Sequence, residues 1–361
     1  MSALTTTPAG KTRARGAGLP FAGEPGQYNA ITDVAGVLVG YTTLIEGEDV
    51  RTGVTAILPR PHAAIATPVF AGIHSLNGNG ELTGTLWIDE AGRLEGPITI
   101  TNTHSCGTAR DASIKWLASK GGPRDAFALP VAGETYDGYL NDINGFHVED
   151  RHVMAALDNA AGGAVEEGSV GGGTGMICYG YKGGSGTASR RITFAEDNYT
   201  VGVFLQANFG RRDQLTVAGV PVGRALSQQA GAVERGSVIG IVATDAPFMP
   251  HQLQRLARRV GLGIGRSGAI SGHGSGDIFL AFSTANSAAH HDEERLAALH
   301  FVPDGQIDGF FAAVIHAVDE AVMNALFANE SMTGRAGHVV EALPHAAVLA
   351  ELRAHGVVLS T

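Results

Sequence analysis

Apolar runs at 36–41 (GVLVGY), 54–58 (VTAIL), 201–207 (VGVFLQA), 237–243 (SVIGIVA) and 278–283 (IFLAFS) predict strands. Several are apolar on both faces, so those strands should be covered on both sides. Helical periodicity appears at 108–119, at 148–161, at 250–260 after Pro250, and most strongly at 308–327. In the last segment Phe310, Phe311, Val314, Ile315, Val318, Val322 and Leu326 recur at helical spacing. Buried strands interspersed with long helices predict stacked layers, with helices outside packed sheets. Length alone would favour about two domains of roughly 150 residues. No internal repeat and no Pro/Ser-rich linker follows residue 30, so one domain over 1–361 is expected, with 1–19 as a mobile N-terminal segment.

Composition narrows the class. The 361 residues are 44% hydrophobic and 17% charged, with a mean hydropathy of +0.08. That is the profile of a globular protein with a large core. A net charge of −10 argues against a nucleic-acid partner, which needs a basic face. Lys11, Arg13 and Arg15 cluster only weakly, and Arg255, Arg258 and Arg259 follow the spacing of a solvated helix face. Two cysteines, Cys106 and Cys178, are too few for a disulfide framework and read as reduced, buried thiols. The N-terminus lacks the apolar stretch of a secretory signal. No uninterrupted apolar run approaches the roughly 18 residues of a membrane span. A cytoplasmic protein with no membrane partner is expected. The 51 glycines concentrate at 162–186 and 261–276, interleaved with apolar residues. That placement suits tight turns and close backbone approach rather than linkers.

Some motifs lead nowhere. Gly263 to Gly268 (GIGRSG) matches a dinucleotide fingerprint but follows a helical segment, not a strand. Ala9-Gly-Lys-Thr12 lacks the earlier glycine of a phosphate loop, and no serine sits in a G-x-S-x-G elbow. The cluster from His290 to Glu294 (HHDEE) reads as a solvated loop, and no H-E-x-x-H pair is present. No cofactor or metal is called for.

One serine stands out by position. Gly-Ser occurs at 168, 184, 236 and 274, but only Ser237 begins a long apolar strand. A hydroxyl held there on rigid backbone, behind a glycine peptide, suits attack on its own preceding carbonyl. The new α-amine would have a pKa of about 7.7–8.0 and could act as base for its own side chain. The alternative is an ordinary serine in a turn that opens a strand.

Seven segments then fall in order: Asn29 to Gly36 (NAITDVAG), Thr101 to Ser105 (TNTHS), Gly133 to Gly138 (GETYDG), Val170 to Gly175 (VGGGTG), Gln206 to Arg211 (QANFGR), Ala243 to Pro247 (ATDAP) and Gly274 to Ile278 (GSGDI). Together they resemble the DmpA/BapA family of self-processing L-aminopeptidase/D-amino-acid esterase-amidases and β-peptidyl aminopeptidases, from about residue 13 to about residue 330. The resemblance implies an α+β fold, a four-layer αββα sandwich like that of N-terminal nucleophile hydrolases but with different connectivity. It implies cleavage between Gly236 and Ser237 into chains 1–236 and 237–361, gathered into tetramers of αβ units. It makes Ser237 the nucleophile and places Ser275 and Asp277 against it to orient hydroxyl and amine. Asn208 becomes an oxyanion donor, Tyr136 a donor to the same intermediate or to substrate, and Glu134 the carboxylate that grips a substrate ammonium. The glycine run 171–175 offers tight turns whose N–H groups could assist the oxyanion. His104 is expected to be a hydrogen-bonded structural residue.

Three departures accompany the match. Arg235, after Glu234, is bulky for a residue beside the cut; Gly240 interrupts the β-branched run; and Asp277 is one methylene shorter than the glutamate of some relatives. The expected function is a serine aminopeptidase or amidase acting on short peptides, amides or esters. An acyltransferase like the ornithine acetyltransferases is the alternative, although those cut before a threonine. An unprocessed binding protein that kept the fold is a third.

Overall fold

The computed structural model describes residues 2–120, 127–226, 236–290 and 296–360. Two sheets face each other. The larger has six strands in the order Arg93–Leu94, Val69–Gly78, Gly276–Ser283, Ser237–Thr244, Asp197–Asn208 and Gly184–Phe194. Its neighbours run antiparallel except Ser237–Thr244 beside Gly276–Ser283, which are parallel. Parallel neighbours need a crossover, supplied here by the helix Pro250–Arg266. The smaller sheet orders Leu38–Glu46, Val50–Leu58, Ile98–Asn102 and Val131–Thr135, with the last pair parallel across the helix Cys106–Ser119.

Alternation along each strand divides its side chains between two cores. Ile57, Ile98 and Val131 meet Phe204, Ile239, Ile241 and Leu280 between the sheets. Val203, Leu205, Val238 and Val242 turn outward, against Leu253, Leu256, Val314 and Val318 of the helices Pro250–Arg266 and Asp308–Phe327. Val54, Ala56 and Leu58 turn outward on the other side, against Ala109, Trp116, Val153 and Leu157. The result is the αββα sandwich. Asp308–Phe327 is apolar and long enough to cross a membrane, but most of it is buried in this core.

The apolar runs at 54–58, 201–207, 237–243 and 278–283 lie within longer strands, that at 36–41 overlaps the start of Leu38–Glu46, and the expected helices form with shifted ends, the one after Pro250 running on to Arg266. Of the segment 1–19, expected to be mobile, the described residues 2–19 are instead built in. Arg13 holds Glu167 through Nε at 2.6 Å and Nη2 at 3.2 Å, and Arg15 holds Glu320, which also takes Arg190 at 2.8 Å. Ala14 and Leu19 are buried in the outer core. Charges buried this deeply persist only when paired, so the basic cluster is a set of internal anchors. Cys106 and Cys178 are buried thiols outside any disulfide, and burial pushes Cys106 up to about 12.

Lys182 is wholly buried, and its Nζ donates to the carbonyls of Met176 and Gly183, each at 2.8 Å. Burial first, then the charge of Lys11, lowers its pKa to about 7. The unfolded value is about 10.4, so between the two values the unfolded chain binds more proton and stability rises with pH. Both carbonyls keep a second donor, Gly183 N–H and Asn329 Nδ2. Lys182→Met should therefore gain most over the parent below pH 7, with the gain shrinking towards pH 10. Thermal melts of both proteins across that range check it, and a constant difference would contradict it.

Candidate active site

Ser237 is the first residue of a central strand and is 4% exposed. Register sets it opposite Asn208 on one side and Gly276 on the other. Residues directly opposed share a face, so the hydroxyl and the carboxamide stand together on the side that Ile239 and Ile241 continue towards the second sheet. Gly236 is fixed by space rather than by flexibility. A Cβ there would lie 2.0 Å from the Asn208 carbonyl oxygen, so no side chain fits before Ser237. Glu234 and Arg235 lie outside the described residues.

The Asn208 carboxamide has a set orientation. Its Oδ1 accepts from Ile177 N–H at 2.8 Å, and its Nδ2 donates to the Tyr136 carbonyl at 2.9 Å. A primary amide carries two N–H donors, which leaves one for a developing oxyanion. Ser275 and Asp277 meet each other, Ser275 Oγ donating to Asp277 Oδ1 at 2.6 Å, and both are buried. Asp277 is in register with Val238 and Gly276 with Ser237, so alternation puts the Ser275–Asp277 pair on the opposite face from the Ser237 hydroxyl. Among the described residues that hydroxyl has no hydrogen-bond partner.

A cavity of about 1030 Å³ opens over Ser237, with Glu134, Thr103, Tyr136 and Arg211 among its walls. Glu134 is 3% exposed and is the last residue but one of the strand Val131–Thr135. Its Oε1 accepts from Glu81 N–H at 3.0 Å and its Oε2 from the Thr103 hydroxyl. Burial raises its pKa, against the lowering effect of these two hydrogen bonds. Tyr136 is 46% exposed on the wall, its ring available to a bound ligand.

Other expectations fare differently. The glycines at 171–175 do not line the cavity but wedge between the sheets. A Cβ at Gly172 would lie 2.2 Å from Gln206 Oε1, and one at Gly175 would lie 2.3 Å from the Arg51 carbonyl. The N–H groups of Gly171 and Gly172 are already given to Thr43 and Thr55. His104 is exposed and stacks on Phe146 at 6.2 Å, with no hydrogen bond to a described residue. Of the acidic histidine cluster, 291–294 lie outside the described residues. Among the described residues no three histidine, cysteine or carboxylate side chains gather as a metal site.

Thr103 escaped the sequence reading although it lies inside TNTHS, where His104 drew attention. Asn77 and Asn79 escaped it too. Their Nδ2 groups hold the carbonyls of Gly272 and Gly274, at 2.6 and 2.8 Å, and so fix the loop that leads into Ser275. The repeated Asn-Gly at 77–80 was the available signal.

Comparison with known proteins bears on this arrangement. Residues 29–340 match the model of peptidase family S58. A β-peptidyl aminopeptidase BapA from Sphingosinicella microcystinivorans is 49% identical, over 94% of this chain and 92% of the relative. Among solved structures, the L-aminopeptidase D-Ala-esterase/amidase of Ochrobactrum anthropi, described as a prototype serine aminopeptidase with a variant of the Ntn hydrolase fold, superposes with a TM-score of 0.90. It is 47% identical, over 95% of this chain and 99% of that one. A β-aminopeptidase from a Burkholderia species gives 0.89 at 46% identity, over 96% and 99% of the two chains.

Proposed function

Because the chain belongs to peptidase family S58 and is an aminopeptidase, we propose that it activates itself by cutting at Gly236–Ser237 and then uses Ser237 as its nucleophile. The substrates are short peptides, amides or esters with a free amine, β-amino acid residues included. The observation that carries this reading is a single cavity holding both Ser237 and the buried carboxylate of Glu134.

In the uncut chain the Ser237 hydroxyl adds to the Gly236 carbonyl, the peptide nitrogen leaves as an amine, and water hydrolyses the resulting ester. The freed α-amine, near neutral in part at pH 7, then takes the proton of its own hydroxyl. Ser237 attacks the substrate carbonyl, the leaving amine carries a proton away, and water releases the acyl residue. Nδ2 of Asn208 meets the oxyanion in both reactions. Ser275 and Asp277, beside the backbone where the amine forms, hold that amine rather than the hydroxyl. Glu134 fixes the substrate ammonium through a charge-assisted hydrogen bond. The same reading has the processed units assembled as tetramers.

Glu134→Gln keeps the shape and removes the charge. kcat/KM on free-amine substrates should fall by about 10- to 100-fold, while self-cleavage continues because it involves no substrate amine. Turnover of N-acetylated analogues should be poor in the parent and hardly change. Only the ionised carboxylate grips the ammonium, so the parent's kcat/KM should fall, as pH drops, through a pKa above the ordinary glutamate value. Glu134→Gln should lose this component and keep only the fall set by the Ser237 α-amine, which must be neutral to act as base. Equal losses on free and acetylated substrates would make Glu134 structural and remove the reading's main support.

A further inference from the structure

Charge on the cavity wall is segregated about the nucleophile. Among the described residues that line it, Arg211 is the only arginine or lysine, and Glu81 and Glu134 are the carboxylates. Ser237 lies between two strand neighbours, Gly276 on one side and Asn208 on the other. Glu134 stands on the Gly276 side, since a Cβ on Gly80 would meet both Glu134 Oε1, at 3.1 Å, and Gly276 Cα, at 3.4 Å. Arg211 stands on the Asn208 side, where the chain leaves that strand and turns at Gly210, whose φ is +82°. The Arg211 N–H donates to Gln214 Oε1 at 3.0 Å, and its Nε and Nη2 donate to Asp213 at 3.2 and 3.1 Å. Backbone and fork are therefore both oriented. The Arg211–Asp213 pair is 37% and 32% exposed, and such pairs contribute little by themselves. A guanidinium carries five donors, enough to hold a second carboxylate beside the first.

We propose that Arg211 is a specificity-determining residue that receives the C-terminal carboxylate of the leaving amino acid. The substrate class is then a zwitterionic dipeptide, its ammonium on Glu134, its scissile carbonyl over Ser237 and its carboxylate on Arg211. The span fits. An extended dipeptide reaches roughly 7 Å, and the two strands flanking Ser237 are about 10 Å apart. The side chains of Glu134 and Arg211 close the remainder. A dipeptide whose C-terminus is amidated keeps the first two contacts and loses the third. The inference rests on Glu134 as the ammonium site and Ser237 as the nucleophile.

Alanyl-alanine and β-alanyl-alanine, each as free acid and as C-terminal amide, test it through the alanine or alaninamide released. In Arg211→Met the kcat/KM ratio of acid to amide should fall, for whichever acyl residue the parent accepts, by about 10- to 100-fold, the effect of losing one charge-assisted hydrogen bond. Arg211→Lys keeps the charge without the fork and should recover part of that ratio. Rates are normalised to enzyme cut into two chains on a denaturing gel. Equal losses on acid and amide in Arg211→Met overturn the proposal. Should neither variant fold and cut, the parent decides alone. Its acid-to-amide ratio should fall as salt is raised, because the ammonium contact is common to both substrates and cancels. A ratio indifferent to salt then overturns the proposal. Glu134→Gln run alongside separates the two ideas. A uniform loss there, with an unchanged ratio in Arg211→Met, sinks the carboxylate site and leaves the ammonium site standing. No loss there sinks the ammonium site, and with it the span from which the Arg211 role is inferred.

Discussion

Ser237→Ala is expected to yield a single intact chain with aminopeptidase activity reduced by about 10⁶-fold, the scale seen when a serine hydrolase loses its nucleophile. Both losses have one cause, because the same oxygen would attack Gly236 in the precursor and the substrate afterwards. The fold should survive the change. Among the described residues the Ser237 hydroxyl has no partner to strand, and the strand pairs with Asn208 and Gly276 through backbone. A melting curve like that of the uncut parent sequence would separate loss of chemistry from loss of structure. In the parent, N-terminal sequencing of the smaller chain should read Ser-Val-Ile-Gly. A variant that is still cut, or a parent that is active while whole, ends the self-processing idea.

Asn208→Ala comes next in size. Removing one oxyanion donor usually lowers kcat by about 10²–10³ with little effect on KM. The same deletion strands two part-buried partners, Ile177 N–H and the Tyr136 carbonyl, at a cost near the lower end of about 1–3 kcal/mol each. A stability loss should therefore accompany the kinetic one, and kcat must be normalised to folded, cleaved enzyme. Cleavage itself should slow, since the precursor passes through a similar tetrahedral carbon. Near-normal kcat in cleaved Asn208→Ala would take Asn208 out of the mechanism.

Legibility in the sequence follows burial chemistry. The strand at 237–244 and the helix at 308–327 bury apolar surface on nearly every side, so their patterns stand out. The strand Gly184–Phe194 (GSGTASRRITF) is just as buried over its first half but polar, so no apolar pattern marks it. Its interior position depends on Arg190 meeting Glu320 and on Thr187 giving its N–H to Glu167. Glu320 is far along the chain, and the anchors that complete the cluster come from residues 13 and 15. Local patterning cannot carry such distant pairings, and the expectation of a loose N-terminus failed for the same reason. The strands Ile98–Asn102 and Val131–Thr135 are five residues each and too short to show a period.

At the site, Ser237 was legible because a strand start and a Gly-Ser peptide coincide, and the collinear motifs supplied Glu134 and Asn208. The hydroxyl of Thr103 on Glu134 was not, because it depends on which of two adjacent side chains turns inward.

The pairing of Asp197–Asn208 with Ser237–Thr244 bears on how the enzyme ages. The register runs unbroken from Val201 opposite Thr244 to Asn208 opposite Ser237. Under the proposed cut beside it, this ladder would become a seam between two polypeptides, with Glu134 and Asn208 on one and Ser237, Ser275 and Asp277 on the other. Unfolding then releases two fragments, and recovery becomes a second-order encounter in competition with aggregation. Under the proposed cut the precursor would refold as one molecule and the mature enzyme would not, so its lifetime would be set by how slowly the seam opens, more than by any equilibrium with a denatured state.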